Sequence, residues 1–399
     1  MNDSERLTRL AELTVSVGLN MQRGQVVVIL GMLEHAALVR EIARAAYRAG
    51  ARRVDPMYID RHLTKAHIEL GPEETLDDSP PTWMAMVKML EDERGAFVQV
   101  VGEPDPTLLA GLDGKKVGRA RPREWIGTWS RLVGDRLVNW TIVSCATPGW
   151  AQQVFGRPDV DALWLAIEKA MRLDRPDPVA AWRDHVVRLN TIATALNEHH
   201  FDELRYRGPG TDFRVGLLPS SRWEAASTET TFGVTHVANM PTEEVYTSPD
   251  YRRAEGKLRS TMPLQLYGTM IRDLELEFRD GQIVQVNASE GADVIRAEIA
   301  TDPGATRLGE ISLVDGSSEV GKLGLTFCNT LFDENATCHV AYGAGFAYAV
   351  ADEKDRAAGL NESKVHTDFM VGGPEVEIEG RASKGAWVPV IKDNEFQLG

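Results

Sequence analysis

Residues Gln25–Gly31 read QVVVILG, and Ala36–Ala49 behind them carry apolar side chains at helical spacing up to Gly50. A short, unbroken run of β-branched residues suits a strand buried on both faces, since neither face has to meet water. Arg53–Ile59 resumes strand character directly after the helix. Strand, helix and strand at this spacing fold as parallel neighbours with the helix laid across the sheet. Working outward, Leu7, Leu10, Leu13 and Val17 place a helix ahead of the run, which Gly18 can end. Ala96–Val101 and Asn139–Ser144 supply two further strands, with helical stretches between them and over Pro158–Met171. The N-terminal part is expected to be an α/β domain with a parallel sheet. Gly24 and Gly31 form neither a GxGxxG turn nor a P-loop, so no nucleotide fingerprint accompanies this sheet.

The strongest punctuation is Asp174-Arg175-Pro176-Asp177-Pro178, after which Val179–Leu196 reads as one long helix. Beyond His200 the texture changes. Thr211–Leu218, Thr231–Asn239, Leu274–Arg279, Ile283–Asn287 and Leu323–Phe327 alternate or carry β-branched residues, with turn signals such as Asp280-Gly281 between them. Gly291–Ala300 reads as a helix. The expected division is an N-terminal α/β domain over 1–177, a connecting helix over 178–200, and an α+β, mainly antiparallel C-terminal domain over 201–399. No internal repeat appears.

Among 399 residues, 59 are acidic and 44 basic, a net charge of −15. So acidic a chain lacks the footprint of a nucleic-acid binder and is repelled by anionic lipid. Clean apolar runs such as Val26–Leu30 fall far below the roughly 20 residues of a membrane span. The opening Met1-Asn2-Asp3-Ser4-Glu5 has no basic segment followed by an apolar one, as a signal peptide has. A cytoplasmic protein is expected. Cys145, Cys328 and Cys338 provide no CxxC and no paired framework, so neither a disulfide scaffold nor a thiolate zinc site is indicated.

The residues able to do chemistry lie in the second half. His366-Thr367-Asp368 sits in the strand-like stretch NESKVHTDFMVGG. On a strand, i and i+2 share a face, so imidazole and carboxylate converge while Thr367 points away. Such a corner suits zinc, cobalt, manganese or iron, and also describes an ordinary surface pair. His339, among small and apolar residues in NTLFDENATCHVAYGAG, reads as a core histidine or a ligand. Glu310, ahead of an apolar run in TRLGEISLVDG, either faces water at a sheet edge or has a buried partner. Glu243-Glu244, bracketed by Pro241 and Pro249, is a solvated pair or a functional one.

Taken together and in order, ANMPTEEVYTSPD, ATRLGEISLV, NTLFDENATCHVAYG and NESKVHTDFMVGG resemble the metal-site segments of the thermophilic metalloaminopeptidase family. LWLAIEKAMRLDRPDPVAAWRDH, RYRGPGTDFRVGL and AELTVSVGLNMQRGQVVVI extend the likeness over nearly the whole chain. The resemblance implies a cytoplasmic homodimer with two divalent metal ions (zinc, cobalt or manganese) in the C-terminal domain and a peptide substrate. The implied ligands are Glu244, Glu310, His339, His366 and Asp368. Glu244 is preferred to Glu243 on the family spacing to Glu310, and Glu243 becomes the candidate proton carrier. Three carboxylates and a bridging hydroxide balance two divalent ions, leaving no charge unpaired in a dry pocket.

Two positions depart from the family pattern. A tyrosine is expected seven residues after His339, where this chain has Phe346, so Tyr348 or Tyr342 would have to supply the hydroxyl. His236 stands where an aromatic residue is expected, as a core substitution or an extra ligand. An alternative on the same fold is a ring-cleaving dioxygenase of the dihydroxypyridine type, with one Fe(II) held by His339, His366 and Asp368. Glu244 and Glu310 argue for two metals and against it. A third reading is a metal-stabilised relative without catalysis.

Overall fold

The computed structural model describes residues 2–398. Two compact units are present: Met1–Arg183 with Ser227–Met240, and Asp184–Ala226 with Pro241–Gly399. This differs from the division read from sequence in two ways. The boundary falls inside the long helix rather than before it, and a stretch of the expected C-terminal domain belongs to the first unit.

The first unit is built on four parallel strands, β1 (Val26–Met32), β2 (Arg53–Ile59), β3 (Ala96–Val101) and β4 (Asn139–Ser144), in the order β2-β1-β3-β4. Val26–Leu30 are all buried, as a central strand covered on both faces demands. Helix α1 (Asp3–Leu13) runs on into a π-helical turn, Thr14–Gly18. A side chain at Gly18 would come within 2.8 Å of Thr141 Oγ1 on β4, so the turn packs against the sheet only as glycine. Helix α2 (Ala36–Arg48) buries Leu38, Val39, Ile42, Ala45 and Ala46. The stretch Thr231–Asn239 is not a continuous strand. Only Thr235–Val237 pairs, with Ser227–Glu229, around Gly233 at φ +82°, and Asn239 bridges Ile142 beside β4. Backbone bonds from Ile142 N to Ala238 O and from Met240 N to Ile142 O tie this excursion to the first unit. His236 lies inside it, buried.

The second unit holds the end of α3 (Pro178–His199), an eight-stranded sheet and a four-stranded one. The larger sheet is antiparallel throughout, from Gln282–Asn287 at one edge to Glu395–Phe396 at the other. The smaller contains β5 (Val245–Thr247), β6 (Leu308–Leu313), β7 (His339–Gly343) and β8 (His366–Met370), in the order β8-β7-β6-β5, also antiparallel. Leu204, Tyr206, Phe213 and Val215 of the first sheet share one apolar core with Ile311, Val340, Tyr342 and Phe369 of the second. Helix α4 (Ala292–Ile299) matches the helix expected there. Leu323–Phe327, by contrast, forms no strand. Gly321–Leu323 makes a 3-10 turn, Gly324 takes a φ of +62°, and the amide of Phe327 donates to the Asp333 carboxylate instead of a neighbouring strand.

Candidate metal centre

The four-stranded sheet brings the candidate ligands together by register. Ala341 of β7 pairs with Glu310 on one side and Asp368 on the other, and Gly343 pairs with His366. Small residues thus occupy the middle of the row, leaving space over β7 into which the flanking side chains lean. A β-bulge in β6 shifts the register between Leu308 and Glu310, and bulges re-aim the side chain that follows. Gly309 makes it possible, because a Cβ there would lie 2.2 Å from the Ala344 carbonyl oxygen. Glu310 is therefore buried on a central strand rather than wet at an edge. Glu244 enters just ahead of β5 and accepts a hydrogen bond from Ser312 Oγ at 2.6 Å.

Two three-residue groups result, Glu244–Glu310–His339 and Glu310–His366–Asp368, each with ligand atoms within 4.8 Å of one another and with Glu310 common to both. His339 Nε2 lies 3.2 Å from Glu244, 3.9 Å from Glu310 and 4.0 Å from Asp368. His366 Nε2 lies 3.0 Å from Glu310 and 3.4 Å from Asp368. His339 Nδ1 donates to the Glu334 carbonyl at 2.7 Å and His366 Nδ1 to the Ala344 carbonyl at 2.8 Å. A carbonyl only accepts, so each ring carries its proton on Nδ1 and turns the Nε2 lone pair inward when neutral, as metal-binding histidines do when a carbonyl holds their other nitrogen.

Neutral imidazole lone pairs facing carboxylates repel unless a proton or a cation lies between them. Without a cation the histidines take the proton. Burial works against this, yet Glu244, Glu310 and Asp368 together push His339 up to about 10. His366 is likewise raised by Asp368 and Glu310 against the cost of burial. Burial and the neighbouring Asp368 raise Glu310, while His366 overcomes the cost of burial to lower Asp368. Asp368 Oδ1 is buried with no hydrogen-bond partner, the state of an oxygen that wants a cation. The donor set, imidazole nitrogens with carboxylate oxygens, fits divalent transition metals.

Glu243, expected as the proton carrier, is not brought to this cluster. Its carboxylate lies 3.3 Å from His185 Nε2 and accepts from the Glu319 amide at 3.3 Å, while its own amide donates to Asn335. Adjacent residues in extended chain point to opposite sides, and Glu244 has taken the inward one. Glu334, which the sequence reading did not single out, does face the cluster. Burial raises its carboxyl well above the usual range, and the nearby charges of Asp368 and Glu244 add to the effect. The available signal was its place five residues ahead of His339 in DENATCH, where Asp333 is the competing acid.

Phe346 packs on His366, ring centroids 5.2 Å apart, and Tyr348 stacks on Phe346 at 5.4 Å. The Tyr348 hydroxyl is 3.2 Å from that of Tyr246, and its ionisation is opposed by burial and by Glu310 and Glu244. Tyr342 takes no part. It faces away from the ligands and donates to Glu298, as Thr367 does at 3.1 Å, and as Tyr267 does at 2.8 Å. His236, in the other unit, is a buried core histidine and joins neither group.

A family model described as thermophilic metalloprotease (M29) matches residues 3–396. Aminopeptidase T of Thermus aquaticus is 40% identical over 408 residues, covering 99% of both chains. Aminopeptidase 2 of Geobacillus stearothermophilus is 37% identical, again over 99% of each. Aminopeptidase AmpS of Bacillus subtilis is 34% identical over 98% of each. A solved structure of wild-type AmpT from Thermus thermophilus superposes with a TM-score of 0.93 at 37% identity, covering 100% of both chains. With fold, order of motifs and length all matched end to end, the chain belongs to the thermophilic metalloprotease (M29) family.

Proposed function

We propose that the protein is a metal-dependent aminopeptidase releasing N-terminal residues from peptides, with Glu244, Glu310, His339, His366 and Asp368 holding two divalent ions. One observation supports the number two: Glu310 belongs to both three-residue groups, so each group would hold one ion with Glu310 serving both. When bound, zinc, cobalt or manganese ions would acidify a water molecule and polarise the scissile carbonyl. The protein's own part is positioning and proton transfer. The carbonyls of Glu334 and Ala344 lock the two imidazoles, and Ser312 orients Glu244. Glu334 is the group that takes the water's proton and returns it to the leaving amine, a role that needs a carboxylate beside the ligands; its one long hydrogen bond, from Asn335 Nδ2 at 3.5 Å, leaves the second oxygen for it. Tyr348, beside Glu310 and Glu244, is the hydroxyl that stands in for the tyrosine absent at Phe346 and donates to the developing oxyanion. Glu244 and Glu310 would have no task around a single iron, which favours hydrolysis over oxygenation. A cytoplasmic homodimer completes the reading, and sedimentation of the purified protein tests the oligomer; among the described residues no helix is long and apolar enough to cross a membrane.

The test is a metal count joined to an assay. Freshly purified protein should carry two divalent ions per chain, chelation should abolish hydrolysis of leucine amide, and manganese, cobalt or zinc should restore it. One iron per chain with oxygen uptake on a dihydroxypyridine, or full hydrolysis by exhaustively dialysed metal-free protein, would overturn the proposal.

A further inference from the structure

The cross-strand row that carries His339 does not end at β5. Ser312 of β6 stands opposite His339 on one side and opposite Tyr246 of β5 on the other. Beyond β5, Glu224 bridges Tyr246: its amide donates to the Tyr246 carbonyl at 2.8 Å, and the Tyr246 amide donates back at 3.0 Å. Residues directly opposite one another share a face, so Glu224 and Tyr246 lie on the face that carries His339. Alternation gives the same answer independently. Trp223, Val245, Ile311 and Val340, each one residue away along the chain, are all buried in the core on the other face.

Glu224 therefore extends the ligand face by one more carboxylate. Glu244, two residues before Tyr246, is its diagonal neighbour, and such neighbours lie about 7–8 Å apart, within reach of long side chains. Half-buried rings accompany it: the Tyr246 centroid is 5.6 Å from that of Phe346 and 6.5 Å from that of Tyr348. The Tyr246 and Tyr348 hydroxyls are 3.2 Å apart. With the Tyr348 proton given to the oxyanion, the bond between the hydroxyls is donated by Tyr246, whose own oxygen keeps a lone pair to accept with. Burial opposes ionisation of both hydroxyls most, and the charge of Glu224 adds to it at each.

Resting on the aminopeptidase reading, we propose that Glu224 receives the protonated α-amino group of the peptide's first residue, with the Tyr246 oxygen as second acceptor, and so restricts cleavage to chains with a free N-terminus. A peptide's α-amine loses its proton only near 7.7–8.0, so at neutral pH it arrives largely as a cation with three N–H donors and no lone pair. A carboxylate and a phenol oxygen are acceptors, and aromatic faces attract a cation. This amine is two bonds from the scissile carbonyl carbon, so its anchor has to stand beside the metal ligands without being one of them. Glu224 meets both conditions: it shares their face, and it belongs to neither three-residue group. An acylated or internal residue would bring an uncharged amide there and leave the carboxylate without its cation.

The experiment titrates two compounds into the metal-loaded protein by calorimetry: leucine hydroxamate, and isocaproyl hydroxamate, the same molecule without its amine. Both carry the same metal-binding head, so the ratio of their affinities isolates the amine. A hydrogen bond to a charged group is worth about ten-fold or more, and the unmodified protein should hold leucine hydroxamate at least ~10-fold tighter. Glu224→Gln keeps the shape and removes the charge. It should cut that advantage by about ten-fold at unchanged metal content and melting profile, and Glu224→Asp should retain more of it than Glu224→Gln. In turnover, Glu224→Gln should raise KM for leucine amide with kcat little changed, as loss of an anchor used alike in ground and transition states does. An affinity ratio near one in the unmodified protein, or a ratio unmoved in Glu224→Gln, would place the amine on another group, an ion included, and overturn the assignment alone. Loss of metal from Glu224→Gln would overturn it too, by making Glu224 a support of the ligands. If the metal-loaded unmodified protein hydrolyses no amide at all, the aminopeptidase reading falls and the anchor with it.

Discussion

Glu243 and Glu244 are chemically identical neighbours with opposite surroundings, and the difference is measurable. Glu244→Gln should lower bound metal, because it removes a charge from a three-residue group. Glu243→Ala should leave metal content intact and cost about 1–3 kcal/mol of stability, read from denaturant midpoints, because the Glu319 amide loses its buried acceptor and His185, which bonds the Thr242 carbonyl, loses a neighbouring carboxylate. The reverse order would mean that the two side chains had exchanged roles. Glu334→Gln preserves shape and removes the titratable oxygen; kcat should fall ~10²–10⁴-fold at unchanged metal content. Loss of metal instead would make Glu334 a ligand. In the sequence, alternation could not orient the acid pair because a bracketing proline hides the phase, and the preference for Glu244 rested on the family spacing to Glu310 alone. Glu334 was hidden by Asp333 beside it. Asp333 holds a loop and Glu334 faces the cluster, although both are acids in the same motif.

At the scale of elements, strands announced by β-branched runs were legible to the residue: Arg53–Ile59, Ala96–Val101 and Asn139–Ser144. Burial accounts for Ala96–Val101 and Asn139–Ser144, whereas Arg53–Ile59 lies at the sheet edge with little buried and was legible from its place directly after the helix. Leu323–Phe327 has comparable composition and forms none, because a carboxylate from Asp333 competes for its amide, and side-chain competition of that kind leaves no periodic trace. The HxD pair was legible because a strand alternates, and Thr367 does point away, onto the buried Glu298. That carboxylate also collects the hydroxyls of Tyr342 from β7 and Tyr267. It thereby pins β8 from the face opposite the ligands. Thr367→Val should cost about 1 kcal/mol and weaken metal binding by up to ~10-fold, followed by calorimetric titration of the metal-free protein. Unchanged affinity would show that the strand needs no such anchor.

At the scale of the whole molecule, two buried histidines of the first unit contribute an acid limb to the pH dependence of stability. Burial lowers His236 to about 4, and lowers His35 as well. The folded state keeps these rings neutral where the unfolded chain protonates them near 6.5, so between about 4 and 6.5 the unfolded chain binds more protons. The stabilisation is complete above 6.5 and drains as pH falls toward 4, by on the order of 3 kcal/mol for His236. His236→Phe should flatten this acid limb in thermal melts of metal-free protein; a limb as steep as before would place its origin elsewhere. The two-unit plan was legible in outline from the prolines at 176 and 178, but the return of 227–240 to the first unit was not, since three-residue strands carry too little pattern.

That return has a consequence for synthesis. On its side away from β3, β4 exchanges backbone hydrogen bonds with Ala238 and Met240, which leave the ribosome well after residue 183. At roughly 5–20 residues per second, the emerging N-terminal part waits several seconds with a sheet flank uncovered. A chain cut after residue 183 would keep that flank bare permanently. Vectorial translation and spatial order are out of step here, and the first unit to be made is not finished until part of the second has already been translated.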